Sequence, residues 1–158
     1  MKIITLPAMT REQLGFTHKI LVTYSDIAAL AADSATLQLF PASGNTFPAG
    51  TVIGKCAINL TTAFNSSDAA INSLLCKIGD GGDDDRFMTS TELHADGTEI
   101  LYKSFAGTTA PYAYLDADTV DAVFTVAGGA SPLLSETNAG ALEIYLQVLT
   151  LDDLERPA

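Results

Sequence analysis

Four carboxylates, Asp80, Asp83, Asp84 and Asp85, crowd around Gly81 and Gly82 in the stretch DGGDDD, the densest titratable group in the chain. Clustered carboxylates with nearby carbonyls suit a hard cation such as Ca²⁺, which takes about six to eight oxygens. The residue order argues against assigning a site. It lacks the D-x-[DN]-x-[DN]-G alternation of the EF-hand, and no Glu follows at the distance a bidentate ligand needs. Like charges around two glycines disfavour both helix and ladder, so the expectation is a solvated surface turn in which Arg86 screens its neighbours. A second acidic group, Asp116, Asp118 and Asp121, sits at a strand entry and reads the same way. No metal, cofactor or catalytic residue is assigned.

The remaining reactive side chains point to no chemistry. His18 and His94 stand far apart, without metal-ligand spacing, and read as structural or surface histidines. There is no G-x-S-x-G elbow, phosphate-binding glycine loop or H-E-x-x-H, and Ser and Thr are so common that none stands out as a nucleophile. On this reading the chain is not an enzyme. Tyr102, Tyr112, Tyr114 and Tyr145 could form a sugar-binding platform, but Trp, the residue such platforms favour, is absent. Cys56 and Cys76 fall in predicted strands and read as buried free thiols, with a disulfide between them not indicated. Asn59-Leu60-Thr61 and Asn65-Ser66-Ser67 match the glycosylation sequon and read as chance matches without an export signal.

What must position these residues is a single domain over 1–158, large enough to bury a core without metal or disulfides. The chain is 47% hydrophobic and only 17% charged, so its surface is built mainly of small neutral side chains. Its net charge of −11 is uneven: residues 1–79 hold five Lys/Arg and four Asp/Glu, residues 80–158 three and fifteen. Without Lys/Arg clusters, nucleic acid and anionic membranes are not expected partners. The apolar start MKIITLPAM is too short for a signal peptide, and no run reaches the length of a membrane span, so synthesis in the cytosol is expected.

Alternation then sets the elements. Residues 3–6 read as an edge strand ended by Pro7, and residues 1–15 together as a potential extended arm. In Phe16–Tyr24, Ile20, Val22 and Tyr24 share one face, against Lys19, Leu21 and Thr23. Residues 26–34 have the only good helical composition, enough for a single turn capped by Ser25 or Asp26. Ala35–Phe40 places Leu37 and Leu39 together with Phe40 opposite, and Ser43–Gly50 is loop. Thr51–Thr61 faces Val52, Cys56, Ile58 and Leu60 inward, with Gly54 on the apolar face as a bulge or close-approach signal. Phe64–Ala70 reads as a polar connection.

Leu74–Ile78 and Phe87–Leu93 flank the acidic turn, and Asp96-Gly97 predicts a hairpin pairing Phe87–Leu93 with Glu99–Lys103, with enough slack around the turn to admit another partner. Tyr112–Leu115 is a short aromatic strand. Two clean alternations follow: Val120, Ala122, Phe124 and Val126, then Leu142, Ile144, Leu146 and Val148, the latter with Glu143, Tyr145 and Gln147 outward. Residues 152–158 read as a frayed tail. Eight or nine strands, little helix and frequent turns describe an all-β chain, a jelly-roll-like β-sandwich, with a Greek-key barrel as the alternative. No fixed-period repeat points to a propeller or solenoid.

The runs IGDGGDDDRFMTSTEL (78–93), ADGTEILYKSFAGTTAPYAYLDADTVDAVFTVAG (95–128) and GALEIYLQVL (140–149), with FPAGTVIGKCAINLTTAF (47–64), resemble small structural proteins encoded among the head genes of tailed bacteriophages. The resemblance covers residues 47–149 and does not extend before residue 35. It implies a virion protein of the capsid decoration or cement kind, jelly-roll-like, non-catalytic, and seated on the outer surface of the capsid. Its implied partners are the major capsid protein and further copies of itself, as homodimer or homotrimer. The alternative is a tail- or fibre-associated β-sandwich that binds a host glycan. The charge asymmetry adds the expectation that the near-neutral first half docks while the acidic half faces solvent. On that basis, neutralising Asp80, Asp83, Asp84 and Asp85 together should spare binding.

Overall fold

A computed structural model describes residues 1–7, 15–97 and 111–150 of the chain. The strands are β1 (Lys2–Thr5), β2 (His18–Thr23), β3 (Ser34–Phe40), β4 (Val52–Ser66), β5 (Ser73–Asp80), β6 (Asp83–Glu92), β7 (Tyr112–Ala113), β8 (Val120–Ala127) and β9 (Thr137–Leu149). One helical turn, α1 (Tyr24–Ala28), and a 3₁₀ turn at Leu134–Glu136 are the helical elements among the described residues. The strands form two antiparallel sheets, ordered β1-β2-β9-β4-β7 and β3-β8-β5-β6.

Setting β1 aside, the strands pair from the outside of the chain inward: β2 with β9, β3 with β8, β4 with β7, β5 with β6. Cross-links β9–β4 and β8–β5 then close each sheet. That is the path of one long hairpin rolled onto itself, the jelly roll, and two separate sheets rather than a barrel result. The core lies between the sheets, where Ile20, Ile58, Leu60, Leu74, Cys76, Ile78, Phe124, Leu142, Ile144 and Leu146 are buried. The two-residue alternation of β8 and β9 is read directly in their burial, because every second side chain of a strand meets the opposite sheet.

Several expectations shift in physically informative ways. Tyr24 does not continue the inward face of β2. It opens α1 and is 44% exposed, while Ile27 fills the core below. The cap of α1 is Thr23 rather than Ser25 or Asp26, with the Asp26 carboxylate accepting from the Thr23 N–H at 2.9 Å and its hydroxyl at 2.8 Å. In β4 the inward residue near the start is Ile53, not Val52, because the register slips between Ile53 and Lys55 and reverses the alternation there. Gly54 sits in that slip, and a Cβ there would meet the outward Gln147 side chain, so it marks both a bulge and a close approach, but on the outer face rather than the expected apolar one.

Residues 64–66, expected in a connection, extend β4 instead. The Phe64 ring is fully buried across from Gly140, whose φ of +128° and lack of Cβ leave room for it. Phe40 is half-buried and packs on the core, since the ladder slips between Gln38 and Phe40. At Asp96-Gly97 the chain does turn, with the Gly97 N–H donating to the His94 carbonyl at 3.0 Å. The expected partner strand 99–103, Tyr102, residues 8–14 of the N-terminal arm and the tail 152–158 lie outside the described residues.

The two halves of the sequence do not become two surfaces. In one sheet β9 lies between β2 and β4, and in the other β3 pairs with β8, so near-neutral and acidic segments interleave strand by strand. The expectation that one half docks while the other faces solvent is therefore replaced: what matters is the face or end a residue reaches.

Candidate functional site

One end of the sandwich gathers the start of β4, the end of β5, the starts of β6 and β8, and β7. Both acidic groups singled out in the sequence arrive there. β5 runs through Asp80 and β6 begins at Asp83, with Asp80 opposite Asp83, so Gly81 and Gly82 alone make the turn. The acidic stretch is thus mostly strand, contrary to the expected solvated loop. Neighbouring carboxylates are tolerated in the ladder because alternate side chains leave the strand in opposite directions.

Asp80 is the clearest departure from expectation. It is buried, with its side chain 1% exposed. One carboxylate oxygen accepts the N–H groups of Gly82 and Asp83, each at 3.0 Å, and so folds the turn. The other accepts from Arg86 Nε at 2.5 Å. Arg86 does more than screen: its guanidinium carbon lies 4.1 Å from the centre of the Tyr112 ring. The hydrogen bond to Asp80 holds its pKa above the ordinary arginine value against the opposing effect of burial. With both oxygens committed, Asp80 leaves the candidate Ca²⁺ group. Asp83, Asp84 and Asp85 remain, their oxygens within 4.8 Å of one another. Asp84 is paired with Lys77 at 3.1 Å.

Asp118 stitches this turn to the neighbouring loop. Its carboxylate accepts from the Gly81 N–H at 3.3 Å and the Thr119 N–H at 2.8 Å, while its backbone pairs with Phe47. Asp121 accepts from the Thr119 hydroxyl at 2.8 Å. Its pKa is raised: burial is the main cause, and the charges of Asp118 and Asp80 add to it against the Thr119 hydrogen bond. Tyr114 donates to the Thr119 carbonyl at 3.0 Å, and burial pushes its phenol far up.

Behind the carboxylates runs a seam of rings that closes the gap between the sheets. His18 and Phe40 lie 4.4 Å apart, Phe40 and Phe47 5.2 Å, Phe47 and Tyr114 5.8 Å, and Tyr114 and Tyr112 5.3 Å. Phe87 completes it, 6.2 Å from Tyr112. Sequence reasoning missed this seam. Its signal was the placement of Phe40, Phe47 and Tyr112 beside Pro41, Pro48 and Pro111, at element ends rather than in strand centres. The described tyrosines of that set do not share one platform: Tyr114 is buried, Tyr112 lies under Arg86, and Tyr145 belongs to another face.

That other face is the outer side of the five-stranded sheet. Glu143 accepts there from Lys19 at 3.0 Å, Asn59 at 3.2 Å and the Tyr145 hydroxyl at 2.7 Å. Burial raises the Glu143 pKa, but these hydrogen bonds outweigh it and leave the carboxyl below its ordinary value. Tyr145 is pushed up to about 12, by burial first and then by Glu143.

The two histidines stay apart. His18 Nδ1 lies 2.9 Å from the Thr17 hydroxyl, and buried His94 accepts from the Asp96 N–H at 3.1 Å. Cys56 and Cys76 are free and buried, which pushes the Cys56 thiol up to about 12 and Cys76 further. Chemically, the acidic end is a latch: carboxylates accept backbone N–H groups from two loops, and an arginine and a ring seam back them.

No family model and no curated protein matches this sequence. Among solved structures, the chain is similar to one from the acidic stable capsid structure of Helicobacter pylori bacteriophage KHP30. The identity is 14%, covering 83% of this chain and 96% of that one, with a TM-score of 0.39. A likeness of that degree carries no argument about function.

Proposed function

We propose that this chain is a non-catalytic structural protein of a tailed-phage virion, a decoration or cement protein on the outside of the capsid shell. The observation that carries the reading is the jelly-roll strand order, found in a chain whose residues 47–149 resemble phage head proteins. Fold alone does not give function, so the reading also draws on how the polar groups are used. The acidic end spends its carboxylates on its own turns, which suits a rigid module rather than a reactive site.

In this role the protein binds the major capsid protein and associates with itself as a dimer or trimer. Copies repeated over a symmetric shell turn modest individual contacts into a large total, because each tethered contact raises the effective concentration of the next. Bridging neighbouring capsid subunits then opposes the outward pressure of packaged DNA without chemistry. Neither nucleic acid nor membrane has a part in it.

Antibody labelling of intact particles of the phage that encodes the chain tests the placement. Label distributed over the head supports the proposal. Label confined to the tail or fibres, with binding to host glycans, gives the protein to host attachment instead.

A further inference from the structure

The two sheets present four edges among the described residues: β1, β7, β3 and β6. An open edge is a row of unpaired backbone donors and acceptors, and folded proteins normally blunt it with short length, proline or charge. Three edges here are blunted. β7 is two residues long and follows Pro111, and β1 is four residues long and begins with Lys2. β6 opens with Asp83, Asp84 and Asp85, whose charges repel another strand. β3 is different: its seven residues, SATLQLF, contain no charge and no proline.

The ladder fixes which backbone groups of β3 are open. The Val126 N–H donates to the Asp33 carbonyl at 2.9 Å, and β3 pairs with β8 in continuous register from Ser34 opposite Thr125 to Gln38 opposite Asp121. Hydrogen-bonded pairs alternate along an antiparallel ladder, so Ala35 and Leu37 direct their backbone groups to β8. Ser34, Thr36 and Gln38 direct theirs away from it. The Ser34 N–H is taken by the Asp33 carboxylate at 2.8 Å, which leaves the N–H and C=O of Thr36 and Gln38 as the centre of the edge. The Gln38 side chain does not compete for them, because its amide nitrogen donates to the carbonyls of Pro41 and Asn45 at 3.0 and 2.7 Å.

This pattern is self-complementary. An antiparallel partner related by a two-fold axis through Leu37 sets Thr36 opposite Gln38 of the partner subunit, and the reverse. Each pair exchanges two backbone hydrogen bonds, and no like charges face one another across the strands. We propose that β3 pairs with β3 of a second copy of this chain, joining two four-stranded sheets into one continuous sheet across an isologous two-fold interface. The net charge of −11 opposes the approach, so the dimer tightens as salt screens it. The inference does not rest on the virion reading, and either can fail alone.

Sedimentation velocity of the purified full chain, up to about 100 µM and at low and high salt, tests it together with two variants. Thr36→Pro removes an N–H that faces the open edge and takes nothing from the ladder with β8. Thr36→Lys places a hydrated charge beside the same bonds and keeps the backbone intact, which covers the case that the proline variant misfolds. The expected result is a dimer for the unaltered chain, favoured by salt, with slowed amide exchange at Thr36 and Gln38. In either folded variant the dissociation constant rises at least about tenfold, with thermal stability of the monomer unchanged. A monomer at every concentration and salt overturns the proposal, as does a dimer that both variants preserve. Protection of the Thr36 and Gln38 amides in a monomer only after addition of phage heads also overturns it, and gives this edge to a strand of another protein.

Discussion

Replacing Asp80 by Asn changes one atom of a side chain that is 1% exposed and removes the charge on which the acidic turn is built. Asn can still accept the Gly82 and Asp83 N–H groups through its remaining oxygen, each bond weakened by about 0.5 kcal/mol once the acceptor is neutral. Its amide, however, turns a donor toward Arg86 Nε, where the carboxylate accepted at 2.5 Å. Losing that charge-assisted bond costs about 1.5–3 kcal/mol, toward the low end because Arg86 is 26% exposed and stays partly hydrated. Relief of repulsion with Asp118 and Asp121 returns roughly 0.5 kcal/mol. The expected net loss is about 2 kcal/mol, a fall in Tm of roughly 4–8 °C for a chain of this size. Urea or thermal unfolding reads it directly. Single changes of Asp83, Asp84 or Asp85 to Asn should stay within about 0.5 kcal/mol of the parent, as ordinary surface substitutions do. A double-mutant cycle with Arg86→Gln should show coupling of at least about 1 kcal/mol. An Asp80→Asn loss no larger than the Asp84→Asn loss, or coupling near zero, would refute the latch. The consequence for binding experiments is that only Asp83, Asp84 and Asp85 can be neutralised as a solvent-facing test, because adding Asp80 confounds binding with stability.

Further outcomes follow from individual sites. Gly140→Ala sets a Cβ against the buried Phe64 ring at a φ of +128°, and should cost about 2–4 kcal/mol in unfolding experiments. Asp121 and Glu143 should respond to pH in opposite senses. The raised folded pKa of Asp121 means its ionised form weakens the fold at neutral pH, and this penalty disappears as pH falls through that pKa toward the ordinary value of 3.8. Asp121→Asn should therefore raise stability at pH 7 by roughly 0.5 kcal/mol, with the gap closing in acid. The lowered Glu143 pKa makes a contribution that is present above its ordinary value of 4.5 and lost as pH falls through the folded pKa, so Glu143→Gln should cost about 1 kcal/mol at pH 7 and progressively less as pH falls through that folded value. Thiol titration of the native protein at about pH 8 should find neither cysteine reactive, since burial pushes Cys56 up to about 12, and two reactive thiols should appear on denaturation.

The strands with a neighbouring strand on each side were legible in the sequence. β8 and β9 meet the opposite sheet along their whole length, so Val120 to Val126 and Leu142 to Val148 alternate without a break. Alternation failed where the ladder slips, as at Ile53, because a single extra residue reverses every later side chain. The end of β4 was hidden for another reason. Asn65 and Ser66 are polar because they lie at the sandwich end, and nothing local reveals that Phe64 is anchored by Gly140, far along the chain. At the acidic end, composition identified the right residues and misjudged Asp80, whose partners Gly82 and Asp83 are local but whose buried carboxylate is also held by Arg86, itself packed on the distant Tyr112 ring. Whether a carboxylate faces water or serves as an acceptor inside a turn is decided by packing, and a run of aspartates does not carry that information. The same holds for charge: a split between sequence halves has no fixed meaning in a fold that interleaves them.

The most direct test of the capsid assignment is co-sedimentation of the purified protein with expanded heads that lack it, counting bound copies per major capsid subunit. The decoration account predicts saturable binding at a simple ratio set by the symmetry of the shell, retained when Asp83, Asp84 and Asp85 are neutralised together. No binding at protein concentrations well above those of the capsid sites would contradict it.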